Sequence, residues 1–190
     1  MAPTLLLTGR PGVGKTTVIK ALVRTLGERA GGFYTEEIRQ RGVRQGFRLV
    51  GLRGEDSPQG KAQGERATLA HVRLKGRGRP RVGRYGVDVA AIDRVGVAAL
   101  ERALAQGRVV IIDEIGKMEL FSSAFKTAVL AAVDSPAPVI ATVMARPQPW
   151  VDALKARPGV TLWQVTVENR DDVPSRALDW VHSIYPGDVT

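Results

Sequence analysis

Residues 9–16 read GRPGVGKT and satisfy the spacing G-x-x-x-x-G-K-[ST] at every fixed position. Glycines in such a stretch let the backbone curl, so that successive N–H groups converge on phosphate oxygens. A helix starting directly afterwards adds the partial positive charge of its N-terminus. In that arrangement Lys15 reaches the β- and γ-phosphates of a nucleotide, and the Thr16 hydroxyl ligates Mg²⁺. Gly9, Arg10, Pro11, Gly12, Val13, Gly14, Lys15, Thr16 and Thr17 are therefore candidate nucleotide-binding residues, and Mg²⁺ is the expected cofactor.

A second stretch, VVIIDEIGKMEL, spans residues 109–120. Its apolar run reads as a buried strand, yet two adjacent carboxylates follow at once, and buried strands shun charge. Asp113 and Glu114 are thus expected where the strand stops. A parallel strand beside the first one would bring Asp113 to the edge that carries the phosphate loop, where it shares the metal with Thr16. Glu114, a second carboxylate at that edge, suits the orientation and deprotonation of an attacking water. Lys117 lies beyond Gly116 and is a candidate cation for the transferring phosphoryl group. It could equally cap the next helix or pair with Glu119.

These groups need a scaffold, and the pattern supplies one. TLLLTG (4–9) reads as a buried strand, and Val18, Ile19, Leu22, Val23 and Leu26 fall at helical spacing. Phe33–Arg39 and Gly46–Leu52 flank a Gly/Arg/Gln turn and predict a hairpin. Further strands are expected at Ala67–Leu74 and Arg84–Val89, on either side of the Gly-, Pro- and Arg-rich KGRGRPRVGR. Alternation then resumes, with an Asp93-capped helix to about Gln106, strand Val109–Ile112, helix Leu120–Val133 and strand Val139–Met144. A short helix at Gln148–Ala156, strand Val160–Val165 and helix Pro174–Tyr185 complete the pattern. The fold class is α/β: a P-loop NTPase with a Rossmann-like, mostly parallel sheet flanked by helices. It reads as one domain over 1–190, with an antiparallel, basic β-insertion at about 32–90.

Composition narrows the chemistry. The chain has no cysteine, which excludes disulfides, thiolate metal sites and thiol nucleophiles. Its two histidines, His71 and His182, lie in unrelated segments. No stretch has the length of a membrane span, and the N-terminus lacks a signal-peptide layout, so a cytoplasmic monomer without membrane contact is expected. The net charge of +9 is localised: residues 39–94 hold 14 basic and 5 acidic side chains, and the rest of the chain is neutral. A solvated basic loop is the favoured reading, since no aromatic stacking platform accompanies the charge. Weak nucleic-acid contact through the basic insertion is the other.

The combination of GRPGVGKTT, GGFYTEEIR, GFRLVGL, VVIIDEIGKMELFS and VTVENRDDVP resembles the thermophilic, or cancer-related, nucleoside-triphosphatase family, and the match runs through nearly the whole chain. The resemblance implies slow, Mg²⁺-dependent hydrolysis of nucleoside triphosphates to the diphosphate and phosphate, with loose base preference. It assigns the phosphates to Gly9–Thr16, the metal to Thr16 and Asp113, and general-base and transition-state roles to Glu114 and Lys117. It also makes Asn169 and Arg170, in ENRD, a candidate base-contacting pair, although an Asx-type turn before the last helix accounts for Asn169 equally well. Two other readings stay open: a small-molecule or nucleoside kinase with the arginine-rich 73–84 segment as its lid, and an RNA- or partner-binding module regulated by NTP.

Overall fold

The computed structural model describes residues 3–52 and 64–184. Strand β1 (Thr4–Thr8) runs into the glycine loop and helix α1 (Lys15–Leu26), which buries Val18, Ile19, Leu22 and Leu26 on one face. The hairpin β2 (Ala30–Gln40) and β3 (Val43–Leu52) follows, then β4 (Arg66–His71), β5 (Arg81–Val82) and β6 (Tyr85–Val87). A helical run comprises α2 (Val89–Ala91), a π-helical stretch Ile92–Val97, and α3 (Ala98–Ala105). After β7 (Val109–Ile115) come α4 (Ser123–Asp134), β8 (Val139–Val143), α5 (Pro149–Lys155), β9 (Val160–Gln164) and α6 (Val173–Ile184).

The nine strands of the described residues join one sheet in the order β5-β6-β4-β3-β2-β7-β8-β1-β9. β2, β7, β8, β1 and β9 pair in parallel, and the other four strands extend the β2 edge antiparallel. The insertion begins inside β2: Ala30–Phe33 pairs with β7, and Gly32–Gln40 with β3. Alternation sorts the core between the two sheet faces. Leu6, Val110 and Ile112 pack among Leu100, Phe125 and Val129, whereas Leu5, Leu7 and Ile111 pack among Ile19, Leu22, Ala177 and Val181. Being covered on both faces, β8 is buried along its whole length.

Several expectations are corrected here. β7 is not beside β1; β8 lies between them. Asp88, not Asp93, caps the helical run, accepting the Ala91 N–H at 3.3 Å. Asp93 instead receives the Ser122 hydroxyl, whose oxygen accepts the Phe125 N–H at 2.9 Å and so caps α4. That cap starts α4 at Ser123, leaving Leu120 in a separate 3₁₀ turn, Glu119–Phe121. The strand expected to reach Leu74 ends at His71. Tyr185, the expected end of the last helix, lies outside the described residues.

Candidate active site

The phosphate-loop glycines have the backbone their role demands: Gly12 and Gly14 take φ of 81° and 112°, the left-handed region that side chains avoid. The Val13 N–H donates to the Arg10 carbonyl at 3.2 Å, closing the turn, while Arg10, Pro11 and Gly12 face solvent. Lys15 Nζ donates to the Gly9 carbonyl at 3.0 Å. Thr17 is exposed on the first turn of α1, away from the buried face formed by Val18 and Ile19.

Asp113 is 1% exposed; the strand does not stop at Ile112 as expected but runs through Asp113 and Glu114 to Ile115. The β7–β8 ladder is regular to Ile112↔Ala141 and resumes only at Ile115↔Val143, so Asp113 and Glu114 occupy the break. Four hydrogen bonds converge on the Asp113 carboxylate. Oδ1 accepts from the Thr142 hydroxyl at 2.9 Å and the Thr16 hydroxyl at 3.3 Å. Oδ2 accepts from the Thr35 N–H at 3.3 Å and its hydroxyl at 3.2 Å. Burial pushes the Asp113 carboxyl above its ordinary pKa, and the donors from Thr142, Thr35 and Thr16 pull the other way. An oxygen-only pair, Thr16 with a desolvated Asp113, fits a hard divalent cation. Among the described residues no cluster of three or more His, Cys, Asp or Glu forms a self-sufficient metal cage.

Glu114 is half-buried. Burial raises its pKa, the Lys15 charge lowers it, and the Asp113 charge raises it again. The structure thus brings Lys15, Thr16, Asp113 and Glu114 to one sheet edge. Lys117 is exposed and forms no ion pair among the described residues, with Glu119 or any other carboxylate. It lines a cleft of about 390 Å³ shared with Arg81, Leu120 and Phe121.

The ENRD residues divide. Asn169 Oδ1 accepts the Thr166 N–H at 2.8 Å, and its Nδ2 donates to the Gln164 carbonyl at 2.9 Å. Both ends of the amide hold the turn, as in the Asx alternative. Arg170 lies against the phosphate loop: its Nη1 donates to the Val13 carbonyl at 3.4 Å, and a Cβ on Gly14 would stand 3.3 Å from its Cδ. Thr35, Thr142 and Glu119 were missed by sequence reasoning. Thr142 had a readable signal, a hydroxyl inside the buried run VIATV; Thr35 resembles any β-forming strand residue.

A model of the NTPase family matches residues 4–178. Nucleoside-triphosphatase THEP1 of Thermotoga petrophila is 44% identical, covering 92% of this chain and 90% of its own. That of Thermofilum pendens is 43% identical, covering 96% and 97%. The crystal structure of THEP1 from Aquifex aeolicus superposes with a TM-score of 0.80 at 36% identity, covering 93% of this chain and 98% of that one. The solution structure of a human cancer-related nucleoside triphosphatase gives 0.78 at 36% identity, covering 96% and 98%. Sequence, fold and the position of the phosphate loop against Asp113 agree: the chain belongs to the NTPase family.

Proposed function

We propose that the protein hydrolyses nucleoside 5′-triphosphates to the diphosphate and phosphate, with Glu114 as general base. The observation that carries this reading is Glu114 itself, a half-buried carboxylate next to Asp113 that feels the charge of Lys15. The water proton passes to Glu114 as the water oxygen bonds to the γ-phosphorus. The bond from that phosphorus to the β–γ bridging oxygen breaks, and the diphosphate leaves. Lys15 and the loop N–H groups hold the phosphates, and Arg170 braces the loop through the Val13 carbonyl. Thr16 and Asp113 would hold Mg²⁺, which when bound neutralises charge on the β- and γ-phosphate oxygens. Asn169 spends its amide on backbone partners, which supports a broad base preference.

The test is phosphate release by the purified protein with Mg²⁺ and each of the four common NTPs, with no other substrate present. Steady release from all four, within about tenfold of one another, is expected; a factor of ten corresponds to about 1.4 kcal/mol of discrimination. Tight binding without release would overturn hydrolysis, and release from one NTP alone would overturn the broad preference. Lys117→Ala is expected to lower kcat with little change in KM. A change confined to KM would demote Lys117 to ground-state binding.

The cytoplasmic monomer remains part of this proposal and rests on the sequence; no helix of the described residues is long and apolar enough to cross a membrane. One observation supports an added nucleic-acid contact. Arg73, Lys75, Arg77, Arg81 and Arg84 are exposed and none forms an ion pair among the described residues, whereas Arg39, Arg44, Arg48 and Arg66 pair with Glu36 or Glu37. Fluorescence anisotropy with a labelled duplex should show micromolar binding at low salt that weakens steeply as salt rises. Undetectable or salt-insensitive binding would remove the contact.

A further inference from the structure

Glu119 is a carboxyl that the reaction above leaves unused. It is 4% exposed and pairs with no cation among the described residues. A carboxyl taken out of water with no cation beside it needs a strong hydrogen-bonding reason to stay there. Its Oε2 accepts the Gly116 N–H at 3.2 Å. Two further bonds close the same turn: the Leu120 N–H donates to the Gly116 carbonyl at 3.1 Å, and the Ser122 N–H to the Glu119 carbonyl at 3.0 Å. The segment that follows Glu114 is thereby folded back on itself, with Lys117 at its exposed tip.

Gly116 brings the two glutamates together. A Cβ placed on it would lie 3.1 Å from Glu119 Oε2 and 3.4 Å from Glu114 Cδ. Both carboxyl groups therefore lie close to one point of the backbone, and a Cβ there would be tight against the Glu119 carboxyl.

We propose that Glu119 is a positioning residue: by accepting the Gly116 N–H it fixes the turn that aims Glu114, and behind it Lys117, at the γ-phosphate. The inference rests on the reading of Glu114 as the base. Burial, reinforced by the nearby Glu114 charge, pushes the Glu119 carboxyl up to about 8, so at neutral pH it is an uncharged acid. Glutamine reproduces the shape and the acceptor oxygen of that acid, and methionine fills similar volume without an acceptor.

The experiment compares Glu119→Gln, Glu119→Met, Glu119→Ala and Glu114→Gln by steady-state phosphate release and by binding of a fluorescent non-hydrolysable NTP analogue. Glu119→Ala and Glu119→Met should each lose about tenfold or more in kcat, as a displaced catalytic group does. Analogue affinity should stay within about threefold, and Glu119→Gln should recover most of the lost kcat. If the alanine variant fails to fold, the methionine–glutamine pair gives the same contrast. Parent-like kcat in Glu119→Met overturns the proposal, and so does a Gln variant as slow as Met. Parent-like turnover in Glu114→Gln would instead overturn the base assignment, so the two failures are distinguishable.

Discussion

Lys15→Ala is expected to remove nucleotide binding and turnover together. The Lys15 ammonium sits 3.0 Å from the Gly9 carbonyl, over the concavity formed by the loop, and its field reaches Glu114. No other lysine lies on the loop or the first turn of α1. Removing a positioned cation from a phosphate site loses attraction in the ground state and, more steeply, stabilisation of charge on the leaving diphosphate. A loss of about a thousandfold in kcat/KM is the expected scale. Calorimetric titration with the Mg²⁺–NTP complex and phosphate release would check it, and the thermal midpoint should move little because the hydrogen bond lost is the one to the Gly9 carbonyl. Variant turnover above about a tenth of the parent's would mean that another cation meets the phosphate charge, with Arg170, which lies against the loop, the first to replace in turn.

Glu114→Gln separates binding from chemistry. Glutamine keeps the size of a half-buried side chain, so the site neither collapses nor opens a cavity. What it loses is the capacity to take a proton from water. Analogue affinity should stay within about threefold while kcat falls at least about a hundredfold, the usual contribution of a general base. The pair of measurements is decisive because a ground-state role would raise KM and leave kcat alone. Turnover near the parent's would show that the proton goes elsewhere, for example to the γ-phosphate itself.

The chemistry-bearing residues were legible because a phosphate cradle constrains backbone and side chain at once. Only glycine takes φ near 112° at residue 14 without strain, and the lysine at residue 15 completes the fixed spacing of the motif. Asp113 and Glu114 stood out because two charges ended an apolar run. Less legible was whatever depends on spatial neighbours. The strand order places β8 between β1 and β7, and the Thr142 hydroxyl fills the resulting gap by donating to Asp113. Glu119 follows a lysine by two residues and reads as half of a surface ion pair. Its inward direction is set by the Gly116 N–H, which no spacing rule announces. Asp88 and Asp93 both precede helical periodicity. Asp93 falls inside the helical run, within the π-helical stretch Ile92–Val97, so either aspartate could read as the cap from sequence.

The placement of β1 carries a consequence for synthesis. It precedes both of its partners in the chain and is flanked in the finished sheet by β8 and β9, in register with Val139–Val143 and Val160–Gln164. The Val165 N–H donates to the Thr8 carbonyl at 2.7 Å, and the Val165 carbonyl oxygen lies 2.6 Å from where a Cβ on Gly9 would be. The glycine loop is thus moulded against residues more than 150 positions downstream. While the ribosome is still translating the middle of the chain, the N-terminal strand has neither of its partners. Local pairing can form the β2–β3 hairpin early, but the pairings of β1 must wait for β8 and then β9, and loop-closure entropy makes them the slow ones. The backbone around Gly9 therefore takes its final shape only after β9 has emerged.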